Sequence, residues 1–148
     1  MNRRSAIRNA VILSAGASLL PSCLQKDRGN SFHLKNISLN SSEQNMMADL
    51  AETIIPKTSD FIGAKDLKAH EFVMTMVDDC YEPEQQKDFT AGLRSFDKLS
   101  SDKYNKSFVN LSAEQKKQLL TSIEAKKDIP DDVMKFYQPS CVVLQVRM

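Results

Sequence analysis

The chain has 148 residues with 20 basic and 19 acidic side chains, a net charge of +1, four glycines, three cysteines and no tryptophan. That length supports one modest core and excludes two domains, and the near balance of charge leaves no electrostatic footprint for nucleic acid. Abundant Lys, Glu, Gln, Leu and Met with little glycine favours an all-α chain.

The start of the chain reads as an address. Asn2-Arg3-Arg4-Ser5-Ala6-Ile7-Arg8 keeps the frame of a twin-arginine export signal, with Ala6 where an aromatic is usual. The apolar run from Ala10 to Leu20 suits a secretory leader and is well short of the ~20 residues that cross a bilayer. Leu20-Pro21-Ser22-Cys23 resembles a lipobox, which makes residues 1–22 a signal peptide, Arg3 and Arg4 its export signal and Cys23 the lipidation site. Both the twin-arginine route and general secretion stay open, as does cleavage without lipidation. Removing the leader takes Arg3, Arg4 and Arg8 and no acid, so the charge falls from +1 to −2. Residues 23–40 are polar, with Lys26-Asp27-Arg28-Gly29-Asn30 in succession, and are expected to form a flexible tether.

A helical domain is expected over 41–137. Its first helix opens at Ser41, with Ser41-x-x-Gln44 as a capping box, faces the core with Met47, Leu50, Ala51 and Ile54, and stops at Pro56. Lys57 to Ala64 is a loop. A second helix from about Asp66 to Cys80 carries Ala69, Phe72, Val73, Met76, Val77 and Cys80 as one apolar stripe. A third starts at Glu82-Pro83 and presents Phe89, Leu93, Phe96 and Leu99, followed by a polar connector over 102–110. Ser112-x-x-Gln115 caps a fourth with Leu119, Leu120 and Ile123 inside. After Pro130 comes a short helical piece from Asp131 to Tyr137, then an atypical tail, 138–148, in which Pro139 and β-branched residues oppose helix. About four helices with short links make a small irregular bundle.

Chemistry is sparse. His70-Glu71 begins like a zinc-protease motif, but Met74 stands where the second histidine is required, so His70 reads as a partly buried structural residue. Asp78-Asp79-Cys80-Tyr81 is expected to be a solvated helix end with Cys80 and Tyr81 turned inward. Cys80 and Cys141 could pair in an oxidising compartment; a buried free thiol at Cys80 is the competing reading. No phosphate loop, nucleophile elbow, metal set or cofactor fingerprint is present in the sequence, so no catalytic, cofactor-binding or metal residue is assigned.

Glu52-Thr53-Ile54-Ile55-Pro56-Lys57-Thr58, Gly63-Ala64-Lys65-Asp66, Asp79-Cys80-Tyr81, Phe89-x-x-Gly92-Leu93 and Phe108-x-x-Leu111-Ser112-x-Glu114-Gln115 occur in this order. The series resembles the gluconate 2-dehydrogenase subunit 3 family over about Ser41 to Tyr137. Ile62 stands where that family often has proline, and the residues after Tyr137 depart from its usual helical continuation. A truncated or frameshifted C-terminus is one reading of that departure, and a short variant with an extended, packed tail is the other.

The resemblance implies a non-catalytic accessory subunit that escorts a large FAD-dependent sugar or gluconate dehydrogenase through export, with a cytochrome c as a possible acceptor. The complex would be periplasmic, held to the membrane by the lipid anchor, with FAD on the large subunit and no cofactor on this chain. Ile55, Pro56, Phe61, Tyr81 and Phe108 are the residues expected to shape or touch the partner. The alternative is a freestanding envelope lipoprotein acting as a binding module or scaffold.

Overall fold

A computed structural model describes residues 32–126 and 128–146, and the side chains only as far as residue 140. The signal peptide, Cys23 and the first part of the expected tether lie outside the described residues. The described chain is helical: α1 Ser41–Ile54, α2 Ala69–Cys80, α3 Pro83–Tyr104, a 3-10 turn Phe108–Asn110, α4 Ala113–Glu124 and α5 Asp131–Val146. Five helices thus stand where about four were expected, because the C-terminal piece is a full helix. Among the described residues none is long and apolar enough to cross a membrane.

The most extensive packing is between α3 and α5. Gly92 makes it possible: a Cβ there would collide with the backbone oxygen of Asp132 and with the Cβ of Phe136, so only glycine allows the two helices to close. Around the contact Phe89 and Phe136 meet edge to face at 5.2 Å, Phe96 lies 5.8 Å from Phe136, and Phe108 lies 4.8 Å from Phe96, all between ring centroids. All four rings are buried, with Leu93, Leu119, Ile123 and Val133 around them.

This packing explains the tail. α5 runs through Pro139 to Val146, in place of the expected stop at Tyr137 and extended tail. A proline inside a helix forfeits one backbone bond and costs about 3 kcal/mol in isolation. Here Phe136, Tyr137 and Ser140 on its two sides are buried, and the Ser140 hydroxyl donates to the Phe136 carbonyl at 2.8 Å. Tertiary burial outweighs local preference.

The last part of the expected tether is not free. Ile37 and Leu39 are buried, and the backbone N–H groups of Lys35, Asn36 and Ile37 all donate to the Asp78 carboxylate, at 2.8, 2.7 and 2.8 Å. Gln44 secures the other side, accepting from the Phe32 N–H at 2.8 Å and donating to the Phe32 and Leu39 carbonyls at 3.0 Å. The segment 32–39 is a strap clasped by one buried carboxylate and one buried amide.

The clasp also corrects the reading of α2. Val73, Met74, Val77 and Asp78 face inward while Cys80 is exposed and Tyr81 half-buried, a rotation away from the expected stripe and from a solvated Asp78. Three converging donors draw Asp78 in and turn the helix with it. Burial works to raise the Asp78 pKa, but the backbone donors of Lys35, Ile37 and Asn36 outweigh it and hold the carboxyl below its ordinary value of 3.8.

Candidate docking site

Among the described side chains, the large apolar ones left exposed lie on the segment between α1 and α2. Phe61 is 75% exposed, Ile62 60% and Leu67 57%. These residues do not stand out because the loop is loose; its backbone is tied down from several directions. Glu52, at the end of α1, accepts from the N–H of Lys57 at 2.8 Å with one carboxylate oxygen and from that of Lys65 at 2.9 Å with the other. One side chain therefore spans the loop from entry to exit.

Gly63 is the residue that lets it do so. A Cβ at Gly63 would occupy the position of the Glu52 carboxylate. The Ala64 N–H donates to the Ile55 carbonyl at 3.0 Å and buries Ala64 against the core, closing the base. At the tip Thr58 and Phe61 hold each other: the Thr58 N–H donates to the Phe61 carbonyl at 3.0 Å and the Phe61 N–H to the Thr58 hydroxyl at 3.1 Å.

Ion pairs surround the foot. Lys57 reaches Asp66 at 2.7 Å, and Lys68 reaches Glu71 at 3.3 Å. Asp49 bridges Lys65 and Lys116, each at 2.9 Å. Burial would raise the Asp49 pKa, but the hydrogen bonds and charges of Lys65 and Lys116 prevail and lower it from 3.8. Asp66 beside Lys57 raises that lysine from its ordinary 10.5. Lys116 also lies 5.2 Å over the ring of Phe108, which is fully buried. His70, in the first turn of α2, is half-buried, and its buried Nδ1 has no hydrogen-bond partner among the described residues.

The residue profile of the family described as gluconate 2-dehydrogenase subunit 3 matches residues 41–141 of the chain. The chain belongs to that family. No curated protein and no solved structure matches it. The match runs past Tyr137, so the first residues after it, Gln138 to Cys141, fall within the gluconate 2-dehydrogenase subunit 3 region rather than outside it. Both glycines with a packing reason, Gly63 and Gly92, lie inside the matched span as well.

The five residues expected at a partner surface separate into three places. Phe61 is at the loop tip, Pro56 is exposed at the loop entry, and Ile55 is half-buried against the core beneath it. Phe108 touches no surface: it packs on Phe96 and forms the floor under Lys116, because the connector that carries it folds back over α3 through the Asp97 carboxylate, which accepts from the Phe108 N–H at 2.8 Å. Tyr81 is at the opposite end of α2, about 18 Å along a 12-residue helix. There it lines an open groove of about 530 Å³ with Gln85, Asp88, Phe89, Lys135, Gln138 and Pro139. Sequence reasoning did not single out Ile62, read only as a loop residue in place of a proline, or Leu67, which falls outside the apolar stripe of the second helix. It also missed Glu52 as the tie; the signal was Glu52 followed at eleven residues by Gly63, meaningful only once the loop folds back.

Proposed function

We propose that the chain is a non-catalytic accessory subunit of a flavin-dependent gluconate or related sugar dehydrogenase, and that it carries the large FAD-bearing subunit through export. Membership of a dehydrogenase subunit family supports the assembly. The single structural observation that carries the docking part is the loop tip, where Phe61 and Ile62 face outward from a backbone locked by Glu52. Exposed large apolar side chains gathered, among the described residues, on one tied-down loop suit a partner surface.

The leader supplies the rest of the reading. Arg3 and Arg4 in a twin-arginine frame suit a passenger that must fold around FAD before it crosses, and Cys23 gives the exported complex a lipid anchor on the periplasmic face of a membrane. Electrons leaving the flavin would pass to a cytochrome c. FAD resides on the large subunit in this scheme, and this chain positions that subunit at the membrane.

Purification of the tagged full chain from native membranes in mild detergent tests the proposal. The expected result is a yellow complex with a large co-purifying chain and dye-linked oxidation of gluconate or a sugar, lost from the periplasm when Arg3 and Arg4 are both replaced by Lys. A colourless chain with no large companion would refute it.

A further inference from the structure

We propose that Phe61, Ile62 and Leu67 form a preformed plug that seats in an apolar pocket of the large dehydrogenase subunit, and that this contact draws on none of the loop's lysines. The inference rests on the accessory-subunit reading and specifies the partner's chemistry at that site. It comes from the way the charges around the loop are spent. Lys57 is held by Asp66, Lys68 by Glu71, and Lys65 and Lys116 by Asp49, while the Glu52 carboxylate is taken up by two backbone N–H groups. A partner carboxylate would have to break one of these internal pairs to form its own, and Asp60, beside the tip, is the loop charge that stands outside them. An apolar pocket asks for nothing but Phe61 and Ile62.

The same bookkeeping argues against a lipid surface as the occupant. Membrane-seeking loops carry cations beyond their own acids. Around this loop Lys57, Lys65, Lys68 and Lys116 are outnumbered by Asp49, Glu52, Asp60, Asp66 and Glu71, and Asp60 is the residue next to the Phe61 tip. An anionic bilayer would repel the tip's own neighbour. Rigidity favours a pocket too, since the ties through Glu52, Thr58 and Ala64 fix the loop before binding and reduce the ordering cost of the encounter.

The test is a salt series on the full-length complex, with the double variant Phe61→Ser/Ile62→Ser beside the wild type. The wild-type complex is expected to persist from low salt to about 1 M NaCl, where exposed ion pairs are screened within a few ångström. The variant is expected to bind the large subunit on the order of a hundredfold more weakly, the consequence of leaving two large apolar side chains out of a pocket. Its thermal midpoint should match that of the wild type, because neither side chain contributes to the core. A complex that forms but dissociates in salt, or that ignores the double substitution, overturns the plug and leaves the accessory-subunit reading standing. Failure of the wild type to find any large chain overturns both. Flotation of the wild type, but not the variant, with vesicles of anionic phospholipid would make the loop a membrane finger. A dimer in sedimentation that the variant abolishes would make the occupant a second copy. Either result overturns the proposal.

Discussion

The two halves of this bundle solve opposite problems. Where α3 meets α5, stability comes from apolar surface turned inward: four phenylalanines interlock, and a glycine removes the one Cβ that would hold the helices apart. Where α1 meets α2, the structure is held by carboxylates that receive backbone N–H groups, Glu52 on the loop and Asp78 on the strap, and this frees apolar side chains to face out. Hydrophobic burial is non-directional and tolerates only the loss of surface, whereas a carboxylate with two or three donors fixes a backbone path. A protein that must be both stable and adhesive can assign the two tasks to different ends.

The sharpest way to break that division is at Gly92. Gly92→Val places a branched side chain where the Asp132 backbone and the Phe136 Cβ already lie, and backbone cannot step aside as a side-chain end can. Overpacking costs about 1–3 kcal/mol where neighbours can give and more where, as here, backbone is in the way, so the variant should lose a large share of the ~5–15 kcal/mol that holds a small domain folded. Urea unfolding followed by helical circular dichroism reads it. If Gly92→Val kept the wild-type midpoint, the α3–α5 contact would not be the source of the bundle's stability.

Asp78→Asn attacks the polar half with almost no change of shape. The amide keeps one acceptor for the Lys35, Asn36 and Ile37 donors but loses the charge and turns an NH₂ toward another N–H, so about 2–3 kcal/mol should go, with strap release visible as rapid proteolysis within 32–39. The pH dependence has a definite sign. The folded pKa lies below the ordinary 3.8, so the clasp contributes fully above that value and is lost as the pH falls through the lower, folded one. A variant equally resistant to protease in 32–39 would show that Ile37 and Leu39 hold the strap unaided.

These contrasts also explain what could be read from the chain in advance. The helices were legible because Phe89, Leu93 and Phe96, or Leu119, Leu120 and Ile123, repeat at helical spacing, and Ser112 with Gln115 makes the expected reciprocal cap, at 3.0 and 3.3 Å. One position upstream of the expected Ser41 cap, Asn40 and Glu43 form the actual box; both pairs fit the pattern, and only the strap, which claims Gln44, decides between them. Asp78 was misread because its partners lie more than forty residues away. Phe61 is exposed and Phe108 is buried, although each is an aromatic in a polar stretch. What separates them is Asp97, which draws the second stretch onto the core, against Thr58, which turns the first one out.

Glu52→Gln tests the loop more gently. The amide retains an acceptor for one of the two N–H groups, from Lys57 or Lys65, so about 1–2 kcal/mol of local order should be lost with little change in the global midpoint. Faster hydrogen exchange at the Lys57 and Lys65 amides, with unchanged exchange in α3, would locate the effect. A fall in exchange protection throughout the bundle would mean that the two halves are not separable.

The smallest effect sharpens the boundary between the halves. His70 stands at the foot of α2; burial lowers its pKa from 6.5, Glu71 opposes that shift, and Lys65 and Lys68 add to it. The folded state therefore prefers the neutral ring, and a second proton would also leave a buried Nδ1 donor without a partner. A depressed pKa means that the unfolded chain takes up the proton first, so stability is unaffected above about pH 6.5 and declines as the pH falls below it. His70→Gln should flatten this slope between about pH 7 and about pH 5, read as the difference in urea midpoint against the wild type. If the slope survives the substitution, the ring that sits between the loop and the core is not its source, and neither are Asp49 and Asp78, which are held below 3.8 and titrate only in more acid solution.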